Sequence, residues 1–74
     1  MRVLLFGMLA EKAGTDSLDL SVGSVSALRE LLRERIVGFD RMSYAIAVDR
    51  KIVRDDAPLM GNEEIAVLPP FAGG

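Results

Sequence analysis

Glu64-Ile65-Ala66-Val67-Leu68 runs straight into Pro69-Pro70, and the reading of this stretch decides the fold. Its branched apolar residues favour a strand, and the prolines end it because neither can donate a ladder hydrogen bond. Arg2-Val3-Leu4-Leu5-Phe6, near the other end of the chain, is a second short run of this kind. Apolar side chains on both faces are expected of a strand inside a sheet, not at its border. In the sheet that the full order of elements suggests, the two runs are parallel neighbours at the centre.

Working outward, Asp16-Ser17-Leu18-Asp19-Leu20-Ser21-Val22 alternates polar and apolar with period two and reads as a half-buried strand. Between it and the first strand, Leu9-Ala10-Glu11-Lys12-Ala13 predicts one helical turn stopped by Gly14, so the two strands form an antiparallel hairpin with a decorated loop. Ser24 is a candidate N-cap, followed by one helical stripe of Val25, Leu28, Leu31 and Leu32. Ser26, Arg29, Glu30, Arg33 and Glu34 fall on the other side and read as a solvated face. After a loop with Gly38 and Asp40, Tyr44-Ala45-Ile46-Ala47-Val48 predicts a strand, and Asp49-Arg50-Lys51 turns it into Ile52-Val53. Pro58-Leu59-Met60-Gly61-Asn62 is a turn signal before the last strand.

This order predicts an α+β fold: a mixed sheet of about four to five strands around one main helix, the β-grasp or ubiquitin-like arrangement. The β-grasp domain is expected over 1–70, with 71–74 as a flexible Gly-Gly tail. One helix covers only one sheet face. If Val3, Leu5, Leu18, Leu20, Ile46, Val48, Ile65 and Val67 face the helix, alternation sends Leu4, Phe6, Ala45, Ala47, Ala66 and Leu68 to the other side, where Ile52 joins them. An apolar second face reads as a docking surface. Its alternative covers are the chain's own loops or a second copy.

Nine Lys and Arg stand against eleven Asp and Glu, for a net charge of -2, and half of the 74 residues are apolar. A chain of this length forms one domain that buries only about 60 % of its unfolded surface, so a partner is expected to contribute stability. Cys, His and Trp are absent. Disulfides, thiolate nucleophiles, zinc-thiolate clusters and imidazole bases are thereby excluded, and a self-contained hydrolase, transferase or redox protein becomes a poor reading. Near-zero charge and few aromatics argue against nucleic acid. Without a spanning-length apolar run or a signal-peptide pattern, a cytoplasmic protein is expected.

The sequence closes with Pro69-Pro70-Phe71-Ala72-Gly73-Gly74. Two residues without Cβ let an extended chain enter a channel too narrow for side chains and leave a terminal carboxylate open to attack. The prolines favour an extended stem that projects away from the sheet. Such a carboxylate becomes reactive once a phosphoryl donor activates it. The domain then reads as a carrier whose reactive group is Gly74.

Val3-Leu4-Leu5-Phe6, Gly14-Thr15-Asp16, Ser24-Val25-Ser26-Ala27-Leu28-Arg29 and Ile65 through the Pro-Pro-x-x-Gly-Gly ending together resemble the family of small, sulfur-carrying subunits of molybdopterin synthase. The resemblance spans essentially the whole chain; related thiamine-pathway carriers share Gly-Gly but usually lack the double proline. Asp49 stands where that family often has Asn, and Asn62-Glu63 where it often has Gly-Asp. The resemblance implies a ubiquitin-activating-like enzyme that uses ATP with magnesium to adenylate Gly74, and a persulfide donor that converts the acyl-adenylate to a thiocarboxylate. It further implies that the thiocarboxylate, inserted into a catalytic large subunit, donates sulfur to a cyclic pyranopterin. The assembly would be a two-plus-two heterotetramer in which the small subunit is not itself catalytic, docked through Phe6, Ile52 and Leu68, with Leu4 and Ala66 on the same face.

Residue by residue, Gly74 is the group loaded and unloaded, and Gly73 and Ala72 give clearance for insertion. Phe71 either packs against the domain's edge or anchors in the partner. Pro69 and Pro70 read both as strand-stoppers and as rigid spacers. Asp55-Asp56 and Glu63-Glu64 read as charges complementary to a partner, not as an acid-base pair or a metal cage, and no metal or resident cofactor is expected. Arg50, Lys51 and Arg54 read as a solvated hairpin, and Met8 and Met60 as packing at the sheet margins. The competing functions are a sulfur carrier for thiamine, another sulfur-containing metabolite or tRNA thiolation, a ubiquitin-like modifier of lysines, and an inert interaction module.

Overall fold

In the computed structural model, which describes residues 1–69, the elements follow the order β1 (Arg2–Leu5), α1 (Met8–Ala13), β2 (Ser17–Asp19), α2 (Val25–Arg35), a 3-10 turn η1 (Phe39–Arg41), β3 (Ala45–Val48), β4 (Lys51–Val53) and β5 (Ile65–Leu68). The five strands form one mixed sheet in the order β2-β1-β5-β3-β4. β1 and β5 are parallel, with Val3 opposite Ile65 and Leu5 opposite Val67, while the β1–β2, β3–β4 and β3–β5 pairs are antiparallel. This is a β-grasp fold. Among the described residues no helix is long and apolar enough to cross a membrane.

Local chemistry explains most boundaries. The Ser24 hydroxyl accepts from the Ala27 amide at 3.1 Å and starts α2, as a serine N-cap does. Gly14 ends α1 in the left-handed conformation. β5 stops at Leu68, before Pro69. The strands are shorter than alternation predicted: β2 covers three residues, and past Asp19 the pairing ends at Leu20, whose amide donates to the Met1 carbonyl at 2.9 Å and whose carbonyl accepts from the Met1 amino group at 2.7 Å.

Val3, Leu5, Leu20, Ile46, Ile65 and Val67 meet Val25, Leu28 and Leu32 of α2 in the core, and Leu18 and Val48 are partly buried against it. Four core residues lie outside the predicted stripe and strands or on the short turn: Leu9, Ile36, Phe39 and Leu59. Phe39 sits in η1, 1 % exposed, its ring centroid 4.2 Å from that of Tyr44. Met8 and Met60, expected to pack at the margins, are 58 % and 87 % exposed: Met8 opens α1, Met60 lies in the β4–β5 connection, and neither packs against the core.

Candidate functional site

The sheet face away from α2 is ordered by register. One row crosses all five strands as Ile52, Ala47, Ala66, Leu4 and Ser17. The next row pairs Ala45 with Leu68, and Phe6 extends it just past the end of β1, where its amide donates to the Val67 carbonyl at 3.3 Å. Leu4, Ala45, Ala66 and Leu68 are half-buried, and Phe6 and Ile52 are 43 % and 48 % exposed. Ala47, hemmed in by Ile52 and Ala66, is nearly covered. The structure thus gathers Phe6, Ile52, Leu68, Leu4 and Ala66 on one face. Phe6 and Ile52 mark its two flanks, three strand spacings or roughly 14 Å apart.

A charged row closes the face at the end where β1 and β5 begin. Arg2 lies opposite Asp19, and Arg50 Nε meets Glu64 Oε2 at 3.4 Å. At the other end stands the root of the tail. Gly7 adopts φ 60 and ψ -133, and a Cβ placed there would lie 3.3 Å from Pro69 Cγ. Glycine at this position permits the backbone turn from β1 into α1 and lets the Pro69 ring rest on it. Of the tail residues expected to act, only Pro69 lies within the described region; Pro70, Phe71, Ala72, Gly73 and Gly74 lie outside the described residues.

Asp56 and Glu63, one member of each acidic pair, bond to backbone amides of the chain's own loops. Asp56 Oδ1 accepts from the Ser26 amide at 2.8 Å and the Ala57 amide at 2.9 Å, tying the β4–β5 connection to the first turn of α2. Glu63 accepts from the Met60 and Gly61 amides at 2.6 and 2.9 Å and closes the turn before β5. Both are loop staples, because a carboxylate satisfies amides that no strand partner reaches. Asp49 likewise accepts from the Glu64 amide at 2.9 Å. The spacing to Ala57-Pro58 and to Gly61 marks these as turn acids only in hindsight.

The Ser26 amide is the main cause holding the Asp56 carboxyl below its ordinary range, and the Met60 and then Gly61 amides do the same for Glu63. Groups depressed on folding stabilise the protein above the unfolded-state pKa, about 4 for both, and that contribution is lost as pH falls through the lower folded values. Stability is therefore expected to fall below about pH 4.5. Urea titrations of wild type and of Asp56→Asn with Glu63→Gln check this: the variant should be less stable at neutral pH and show a flatter acid limb. Parallel limbs would remove these two groups as the cause.

Set beside known proteins, the chain matches the model of the ThiS family over residues 3–74 and belongs to that family. It is 31 % identical to a molybdopterin synthase sulfur carrier subunit of Escherichia coli (strain K12), an alignment that covers all of this chain and 99 % of that protein. It is also 29 % identical to the molybdopterin synthase sulfur carrier subunit of Arabidopsis thaliana, covering all of this chain and 82 % of that one.

Proposed function

We propose that this domain is the sulfur-carrying small subunit of a molybdopterin synthase, with the carboxylate of Gly74 as its reactive group. ATP converts that carboxylate to an acyl-adenylate on an activating enzyme, releasing pyrophosphate. The terminal sulfur of a persulfide donor displaces AMP to give an acyl disulfide, and a thiol of the donor cleaves its S–S bond, forming a disulfide on the donor and leaving a thiocarboxylate on Gly74. Inside the large subunit, the thiocarboxylate sulfur attacks the cyclic pyranopterin, and hydrolysis returns Gly74 to a carboxylate. With no Cys or His among its residues, the domain contributes no thiolate nucleophile or imidazole base of its own, and the large subunit supplies the catalysis.

The observation that carries this reading is the continuous apolar row system ending at Phe6, Leu68 and Pro69, which puts a docking face directly beside the root of the tail. The names of the two relatives support the same role. Burial of each large side chain of that face contributes roughly 1.5–3 kcal/mol to association. The large subunit covers Phe6, Leu4, Ala66, Leu68 and Ile52, and the tail enters its active site.

Intact mass measured after incubation with ATP, magnesium, activating enzyme and a sulfur source tests the chemistry. The expected gain equals one oxygen replaced by one sulfur, and a residue appended after Gly74 should abolish it without lowering thermal stability. An unchanged mass with an activator proven on another carrier would refute the thiocarboxylate. Dithiolene formed on adding large subunit and cyclic pyranopterin completes the reading, and a loaded carrier that forms none serves another acceptor.

A further inference from the structure

β3 and β4 are paired only from Val48 with Lys51 to Ile46 with Val53. Beyond that point the chain leaves the sheet for α2, where Arg29 Nη2 donates to the Arg54 carbonyl at 3.2 Å. The parting opens a cleft of about 500 Å³ between the end of β4, the start of β3 and the side of α2. Arg29, Arg54 and Tyr44 are its polar side chains, and no carboxylate lines it. In a chain of net charge -2, this is a local concentration of positive charge.

Neither arginine forms an ion pair among the described residues. Arg29, half-buried, spends one of its five donors on the Arg54 carbonyl. Asp56, the acid whose charge reaches Arg29, is engaged by the Ser26 and Ala57 amides. Ile52 and Ala45 line the same cleft and also belong to the outer apolar face, so the cleft opens onto that face. A partner seated there and reaching past the end of β4 would cover the guanidiniums too. Burying them against apolar surface carries a desolvation penalty, whereas a carboxylate matches the guanidinium fork.

We propose that the large subunit, seated on the outer face, inserts a carboxylate side chain into the cleft between Arg54 and Arg29, with the Tyr44 hydroxyl as a further donor. The inference rests on the carrier reading above. It divides the interface by role: the apolar rows supply affinity, and the arginine cleft fixes rotation at the flank farthest from Phe6, so that the tail enters its channel in one orientation.

Titration calorimetry of the carrier with purified large subunit at low and moderate NaCl tests the contact. Arg54 is exposed and its side chain has no partner within the described chain, so its variants should keep the wild-type melting profile. Arg54→Ala is expected to weaken binding about tenfold and reduce its salt dependence, and Arg54→Glu about a hundredfold, with Arg54→Lys recovering part of the loss. Lys51→Ala, which removes a cation outside the cleft, should change affinity by less than about threefold. Arg54→Glu binding with wild-type affinity and salt dependence overturns the contact alone, as does an equal loss in Lys51→Ala. Wild-type carrier that does not bind the large subunit overturns the functional reading and this contact with it.

Discussion

Phe6→Asp abolishes association with the large subunit and leaves the domain folded: this is the result expected if the outer sheet face is the docking surface. Phe6, just after β1, is 43 % exposed and extends the row that includes Ala45 and Leu68. Its loss removes roughly 1.5–3 kcal/mol of apolar burial in the complex. The new carboxylate would also be buried without a partner, which adds several kcal/mol of penalty, so binding should weaken by at least about a hundredfold. In the free domain the same aspartate reaches water, and stability should change little. Leu68→Asp should also abolish binding but destabilise more, because Leu68 is half-buried on the central strand β5. Calorimetry with the large subunit, paired with far-ultraviolet circular dichroism melts, checks both quantities. Wild-type affinity in folded Phe6→Asp would remove this face as the interface.

Phe39→Ala acts in the opposite sense, on the fold first. The ring is 1 % exposed, stacks at 33° on Tyr44 and packs into the cluster that holds Leu28, Leu32 and Ile36. Truncating a buried phenylalanine costs about 3–5 kcal/mol, counting both the lost transfer energy and the cavity. A domain of 74 residues has a total stability of only about 4–11 kcal/mol, so this substitution consumes much of it. Urea unfolding should show a midpoint shifted far down, and a loss below about 1 kcal/mol would show that the ring is not a core support. The contrast with Phe6 is instructive, since both are phenylalanines next to glycine in sequence.

That contrast marks how far the sequence could be read. Phe6 directly follows a strand, where period-two alternation against Leu5 and Val3 assigns it to the outer face, and its amide bond to the Val67 carbonyl continues that register. Phe39 lies between Gly38 and Asp40 in a connection whose periodicity carries no direction, so nothing local predicts that it plugs the core. Leu59 was hidden in a turn signal for the same reason, and is held there by its amide's bond to the Gly23 carbonyl at 2.9 Å. Asp56 was read as a surface charge because its partner, Ser26, is thirty residues away. The candidate face itself was legible in its main residues; the support of Pro69 by Gly7 and the arginine cleft were not.

The sequence by itself determined the order of elements, the two-faced apolar strands, the serine-capped helix and the want of any thiol or imidazole. These depend on residue type and on spacings of a few residues, and such information is local. Only the tertiary structure decided which loops seal the core, which acids serve as staples, and that Arg29 of the helix and Arg54, just after β4, meet at one cleft. Those depend on the path of the connections between elements, which no periodicity encodes, and on contacts between residues twenty-five to thirty positions apart.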